Sequence, residues 1–142
     1  MMRLILNNPF STPDGERRFA VLSEIGKRTE ETLNKHLQAI GSGDVDAIMT
    51  DYDEAAVFID QDGTRRGTAE IRSFFESLVV DLPPGSAVDM SKQIVEEDVA
   101  YIVWSAESEK VKIPFGSETF IVRDGKIVAQ TLAAQMEKKA SV

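Results

Sequence analysis

Residues Gly43–Phe75, GDVDAIMTDYDEAAVFIDQDGTRRGTAEIRSFF, decide most of the fold. Asp44 is placed to cap a short helix from Val45 to about Asp51, with Ile48 and Tyr52 on its inner side. The apolar run Ala56-Val57-Phe58-Ile59 predicts a strand that ends on the carboxylate of Asp60. Gln61-Asp62-Gly63 then reads as a tight turn, and Thr64 to Gly67 as a brief returning strand. Thr68 is placed to cap a further helix whose inner stripe is Ile71, Phe74, Phe75 and Leu78. Leu82-Pro83-Pro84-Gly85 stops that helix, because proline cannot continue it.

Upstream of this block, residues 1–15 contain Pro9, Pro13 and Gly15 and predict an irregular arm. Its apolar residues Leu4, Ile5, Leu6 and Phe10 are expected to dock on the domain or on a second subunit. From Glu16 a helical spacing begins, with Phe19, Leu22 and Ile25 on one face and Gly26 as a candidate break. A better helix is expected over about Thr29 to Ile40, where Leu33, His36, Leu37 and Ile40 recur at intervals of three and four. Gly41 and Gly43 end it. The domain organisation that results is an arm and first helical segment (1–28), one domain (29–136) and a polar tail (137–142).

Downstream the pattern is all strand. Val88–Glu96 alternates weakly and Val99–Ala106 strongly. Val111–Arg123 is long and interrupted by Pro114 and Gly116, which predict a bulge or bend. Asp124-Gly125 is a two-residue hairpin signal, and Lys126–Gln135 is the last strand. Helices followed by long antiparallel strands make an α+β fold, with the helices on one face of a curved sheet. In Val99–Trp104 both alternating sets are apolar, so both sheet faces need cover. Three helices can cover only one of them. A homodimer through the sheet is the simplest cover for the other.

At 142 residues the chain fits one domain, and 42% apolar with 28% charged residues is a globular composition. No apolar run is long enough to span a bilayer, and Met1–Leu6 is too short for a signal-peptide core, which points to a cytoplasmic protein without a membrane partner. The absence of cysteine excludes disulfides, thiol nucleophiles and thiolate metal sites. A net charge of −8 with scattered basic pairs argues against nucleic acid and against strongly anionic substrates.

Gly43-Asp44-Val45-Asp46-Ala47, Tyr52, Ala56, the strand into Asp60, Gly63, Gly67-Thr68-Ala69-Glu70-Ile71-Arg72 and Phe74-Phe75 together resemble the SnoaL-like branch of the NTF2-like superfamily. So does the ending Phe120–Val128. The resemblance runs from about Thr29 to Gln135. It implies an NTF2-like cone: a curved, mostly antiparallel mixed sheet wrapped around three N-terminal helices, with a pocket between, and in many members a dimer through the sheet. It does not choose an activity, since the superfamily holds isomerases, cyclases, dehydratases, hydrolases and non-catalytic modules.

Within the superfamily the strand after the second helix is similar to that of ketosteroid isomerase. The resemblance places Asp60 at that enzyme's general base, His36 at its oxyanion-hole tyrosine and Glu118 at its protonated aspartate. Neither His36 nor Glu118 keeps the enzyme's residue.

The patterning itself points all three inward. His36 lies on a stripe with Leu33, Leu37 and Ile40, Glu118 shares a strand face with Phe120 and Val122, and Asp60 shares one with Ala56 and Phe58. A carboxylate in an apolar cup has a raised pKa and can shuttle a proton at neutral pH, while a neighbouring imidazole or carboxylic acid donates to a developing enolate oxygen. That chemistry suits isomerisation, cyclisation or dehydration of a small apolar or carbonyl-containing molecule, and requires no cofactor. Asp60, His36 and Glu118 are therefore the candidate catalytic residues. Phe58, Tyr52, Trp104, Phe75, Phe115 and Phe120 are the candidates to line the pocket that a cone implies.

Each has a plainer reading too. His36 can be a hydrogen-bonded core residue, Asp60 the start of its turn, and Glu118 part of a bend facing water. The aromatic residues can be core. A non-catalytic ligand-binding or dimerisation module is the alternative function, and a metal held by His36, Asp60 and Glu118 is the weaker chemical one.

Overall fold

The computed structural model describes residues 22–140. The expected N-terminal arm and the start of the first helical segment at Glu16 lie outside the described residues.

The first described helix, α1 (Glu24–Ser42), is longer than its spacing suggested. Gly26 does not break it, because Gly26 lies in the first turn, where its N–H donates to the Ser23 hydroxyl at 2.9 Å. Thr29, Thr32, Leu33 and His36 form the buried stripe. The two threonine hydroxyls can be buried because they donate to the carbonyls of Ile25 and Arg28, at 3.0 and 2.8 Å. Gly43 ends the helix at φ 72°, a conformation glycine enters without a Cβ penalty.

Asp44 caps α2 (Val45–Met49) through a 3.2 Å bond from the Ala47 N–H, as its position suggested. The helix is shorter than expected. Tyr52 leaves it to open β1 (Tyr52–Asp60), because the Ile127 N–H binds the Asp51 carbonyl at 2.8 Å and draws the chain into the sheet. β2 (Gly63–Arg66) pairs back on β1 across the Gln61-Asp62 turn. The next helix, α3 (Gly67–Asp81), starts from Arg66 rather than Thr68: the Glu70 carboxylate reaches back to accept from the Arg66 N–H at 2.9 Å.

Four strands follow: β3 (Ala87–Glu96), β4 (Val99–Glu107), β5 (Val111–Arg123) and β6 (Lys126–Lys138). β6 runs past Gln135, the expected end of the strand, and takes in residues 137 and 138 of the expected polar tail. Asp124 and Gly125, at φ 52° and 74°, make the tight β5–β6 turn. The six strands run in the order β2-β1-β6-β5-β4-β3, antiparallel throughout except that β1 and β6 are parallel. Register shifts in β3, β4 and β5, one of them at Pro114, curve this open sheet around the helices. The fold is α+β, as expected.

The core forms where α1, α2 and α3 meet the concave face. Leu33, Ile48, Phe58, Ile71, Phe75, Ile102 and Phe120 are all 1% exposed or less. On the convex face, Ile59, Thr131, Thr119, Tyr101 and Ile94 follow one another across five strands.

Candidate functional site

A cavity of about 740 Å³ opens between the C-terminal half of α1, α3 and the concave sheet face. Leu37 and Ile40 of α1, Phe74, Phe75 and Leu78 of α3, and Met90, Ile102 and Leu132 of the sheet make its wall mostly apolar. Its size is that of a pocket for an ordinary small organic molecule. Glu118, Trp104, Asp60 and Arg65 are among its polar groups.

Glu118 is the most perturbed of these. Its Oε1 accepts from Gln130 Nε2 at 2.6 Å and its Oε2 from Trp104 Nε1 at 2.8 Å. Burial pushes the carboxyl up to about 7, against the opposing pull of those two hydrogen bonds. Both oxygens thus accept from protein donors, and the side chain borders the cavity. Gly116 makes this geometry possible. A Cβ there would lie 2.6 Å from two ring carbons of Trp104, so the indole reaches Glu118 only across a glycine.

Asp60 is held differently. Arg65 Nη1 donates to its Oδ2 at 2.8 Å, and the Asp62 N–H to its Oδ1 at 2.9 Å. The guanidinium stacks at 5.0 Å from the Phe74 ring centroid and 5.6 Å from that of Phe58. Register relates the two carboxylates. Ile59 pairs with Thr131, so Asp60 lies one step on beside Leu132, which pairs with Glu118. Asp60, Leu132 and Glu118 form one inward row, their outer backbones roughly 9.5 Å apart at ordinary strand spacing.

His36 is not on the cavity wall. It is fully buried behind it, with Nδ1 3.1 Å from Asp51 Oδ2 and Nε2 3.3 Å from the Tyr52 hydroxyl. Its ring meets those of Tyr52, Phe75 and Phe120 edge-on at 5.2–5.9 Å. The Tyr52 hydroxyl donates in turn to Gln130 Oε1, so His36 reaches Glu118 through two intervening side chains. Burial, then the charges of Glu118 and Asp51, push the Tyr52 phenol well above its ordinary range.

The structure therefore brings Asp60 and Glu118 to one cavity and sets His36 apart. Of the aromatic candidates, Trp104 and Phe75 line the cavity. Phe58, Tyr52 and Phe120 are packed behind it, at 0%, 4% and 1% exposure. Phe115 is 49% exposed and off the wall: it keeps the outward parity of Ser117 and Thr119, and the register shift beside Pro114 buries Ile113 and Val111 instead. Among the described residues, no three His, Asp or Glu side chains are grouped so as to hold a metal ion.

Sequence reasoning missed Arg65, Asp51 and Gln130. Gln130 had a signal: it is the one polar side chain at an inward position of the apolar run Ile127–Leu132. Asp51 and Arg65 had none, since their partners are chosen by the fold.

A SnoaL-like domain model matches residues 33–130, well over half of the chain. The chain belongs to the SnoaL-like family. Solved structures similar to this SnoaL-like protein agree on the fold, which is NTF2-like. An NTF2-like protein of unknown function from Burkholderia xenovorans is 20% identical, with a TM-score of 0.67 over 84% of this chain and 91% of that one. A Kribbella flavida protein proposed to be a ketosteroid isomerase is 11% identical, with a TM-score of 0.65 over 82% and 84%. The epoxide hydrolase/cyclase-like enzyme SalBIII, which has a role in pyran ring formation in the polyether salinomycin, is 22% identical, with a TM-score of 0.65 over 77% and 92%. No curated protein sequence matches the chain. No helix among its described residues is long and apolar enough to cross a membrane.

Proposed function

We propose that this SnoaL-like protein catalyses proton transfer without a cofactor, on a small, largely apolar molecule bearing a carbonyl or ether oxygen. Isomerisation, cyclisation and dehydration are the reactions in view. The observation that carries the reading is Glu118: a carboxyl raised to about 7, anchored through both oxygens on the wall of an apolar cavity. Protonated, it donates to a substrate oxygen; ionised, it accepts a proton from an adjacent carbon. Asp60, held by Arg65 in the same inward row, is the second carboxylate and faces the other end of the ligand.

The test is turnover of a panel of enolisable and β,γ-unsaturated ketones, β-hydroxy ketones and epoxy alcohols, the last prompted by the likeness to SalBIII. Wild type should convert a member of the panel, and Glu118→Gln should lose on the order of 10²-fold or more. Equal turnover by both proteins would sink the reading.

A second reading is a non-catalytic pocket. The pairing of Asp60 favours it, because both carboxylate oxygens already have protein donors. Thermal shifts across the panel without conversion of any member would select it. In either case a second copy of the chain is proposed to cover the convex face, along the Ile59–Thr131–Thr119–Tyr101–Ile94 row, where Ile59 and Ile94 are 45% and 43% exposed. Light scattering should give a dimer that Tyr101→Glu converts to monomer; a monomeric wild type would refute it.

A further inference from the structure

Behind the cavity wall runs a chain of polar groups that proton transfer by Glu118 does not itself use. Lys35 Nζ lies 3.3 Å from Asp51 Oδ1, and Asp51 Oδ2 3.1 Å from His36 Nδ1. His36 Nε2 meets the Tyr52 hydroxyl at 3.3 Å, Tyr52 meets Gln130 Oε1, and Gln130 Nε2 meets Glu118 Oε1 at 2.6 Å. His36, Asp51, Tyr52 and Gln130 are 0%, 1%, 4% and 2% exposed. Among the described residues, no buried side-chain nitrogen or oxygen lacks a partner. A buried polar network satisfied in this way fixes one arrangement of its members.

Each link holds one proton, so the direction of one determines the next. Gln130 Nε2 donates to Glu118 Oε1, which leaves the Gln130 carbonyl toward Tyr52. Tyr52 has a single proton and gives it to that carbonyl. Its oxygen must then accept from His36, so Nε2 carries a hydrogen. Asp51, beside the Lys35 ammonium, also only accepts, so Nδ1 carries one as well.

The reverse polarity has a different consequence. A neutral His36 would accept from Tyr52, Gln130 would turn its carbonyl to Glu118, and the Glu118 proton would be tied to Gln130 instead of facing the cavity.

We infer that Asp51, His36, Tyr52 and Gln130 form a one-way hydrogen-bond chain, in which a doubly protonated His36 sets the direction and so leaves the Glu118 proton facing the cavity. They are positioning residues, not catalytic ones, and the inference rests on Glu118 being the proton-transfer group. The other groups facing Glu118 leave the direction of this chain unchanged. Trp104 on β4 is a donor only, while Asp60 on β1, Arg65 on β2 and Asp81 on α3 share the cavity and act on it through space.

His36 is the only histidine in the chain, so its ring nitrogens can be read by ¹⁵N NMR without assignment. In the whole protein at neutral pH both nitrogens should be protonated; a ring protonated at Nδ1 alone overturns the inference. Tyr52→Phe, which cuts the chain while keeping the ring, should raise the Glu118 titration midpoint, followed by its side-chain ¹³C signal. The ionised-to-neutral ratio at a given pH should fall about tenfold. An unchanged midpoint would reduce the chain to packing and also overturn the inference. Gln130→Met, cutting the next link, should act in the same direction if Tyr52→Phe fails to fold. The outcome is separable from the proposed function. Loss of turnover in Glu118→Gln with a singly protonated His36 refutes only the chain, whereas intact turnover with a doubly protonated His36 and a shifted midpoint refutes only the catalytic role.

Discussion

Replacing Glu118 by glutamine tests the central electrostatic claim through stability alone, with no substrate needed. A carboxyl at about 7 in the folded protein against an ordinary 4.5 is a group whose ionisation folding opposes. Below pH 4.5 it is neutral in both states and costs nothing. Between 4.5 and 7 the unfolded chain ionises first, and each pH unit costs the fold about 1.4 kcal/mol. Above 7 the loss is complete. Over a gap of about 2.5 units it comes to roughly 3 kcal/mol, an upper figure because Glu118 borders a cavity where water screens its charge. Glutamine removes that pH-dependent loss. It also turns an NH₂ toward either Trp104 or Gln130, both donors, at a pH-independent cost of about 1–3 kcal/mol. The two effects separate in urea unfolding at a series of pH values from 4 to 9. The stability difference, variant minus wild type, should start negative, climb between pH 4.5 and 7, and level off about 3 kcal/mol higher. All other titrating groups cancel in the difference. A difference that stays flat, or falls with pH, would mean that Glu118 is ionised freely in the folded protein, and the argument for its role would go with it.

Two further substitutions probe the groups around the cavity. Gly116→Ala should drive the Trp104 ring off Glu118, because the added Cβ would lie 2.6 Å from it. The expected cost is about 1–3 kcal/mol, with a changed emission spectrum from the only tryptophan; an unchanged spectrum and stability would show that the indole position is not set by that contact. Arg65→Met should leave Asp60 with the Asp62 N–H as its one remaining donor among the described residues and remove the stacking on Phe74 and Phe58. A loss of about 2 kcal/mol in chemical unfolding is expected, and a neutral result would mean that water already screens the pair.

The sequence by itself determined whatever depends on neighbours a few residues apart. Asp44 caps its helix, Gly43 takes the left-handed conformation, and Asp124-Gly125 turns the last hairpin, because each acts on backbone within four residues of itself. Alternation along Val99–Ala106 and Glu118–Val122 was enough to turn Glu118 inward, and the stripe on α1 did the same for His36. Family resemblance carried the order of elements from there to the cone.

Only the tertiary structure decided which inward residues meet. Tyr52 and Gln130 are 78 positions apart, and Glu118 and Trp104 touch only because β4 and β5 pair in one register. A register shift beside Pro114 buries Val111 and Ile113 out of step with Glu118 and Phe120 and leaves Phe115 on the outward face. The stripe that buries His36 is equally consistent with a place on the cavity wall and with a place behind it. The choice is made by Asp51, whose carboxylate binds Nδ1 and is itself positioned by the pull of β6 on its backbone carbonyl. Periodicity says which way a side chain points; what it meets there depends on strand pairing and on polar groups that must find partners once water is gone.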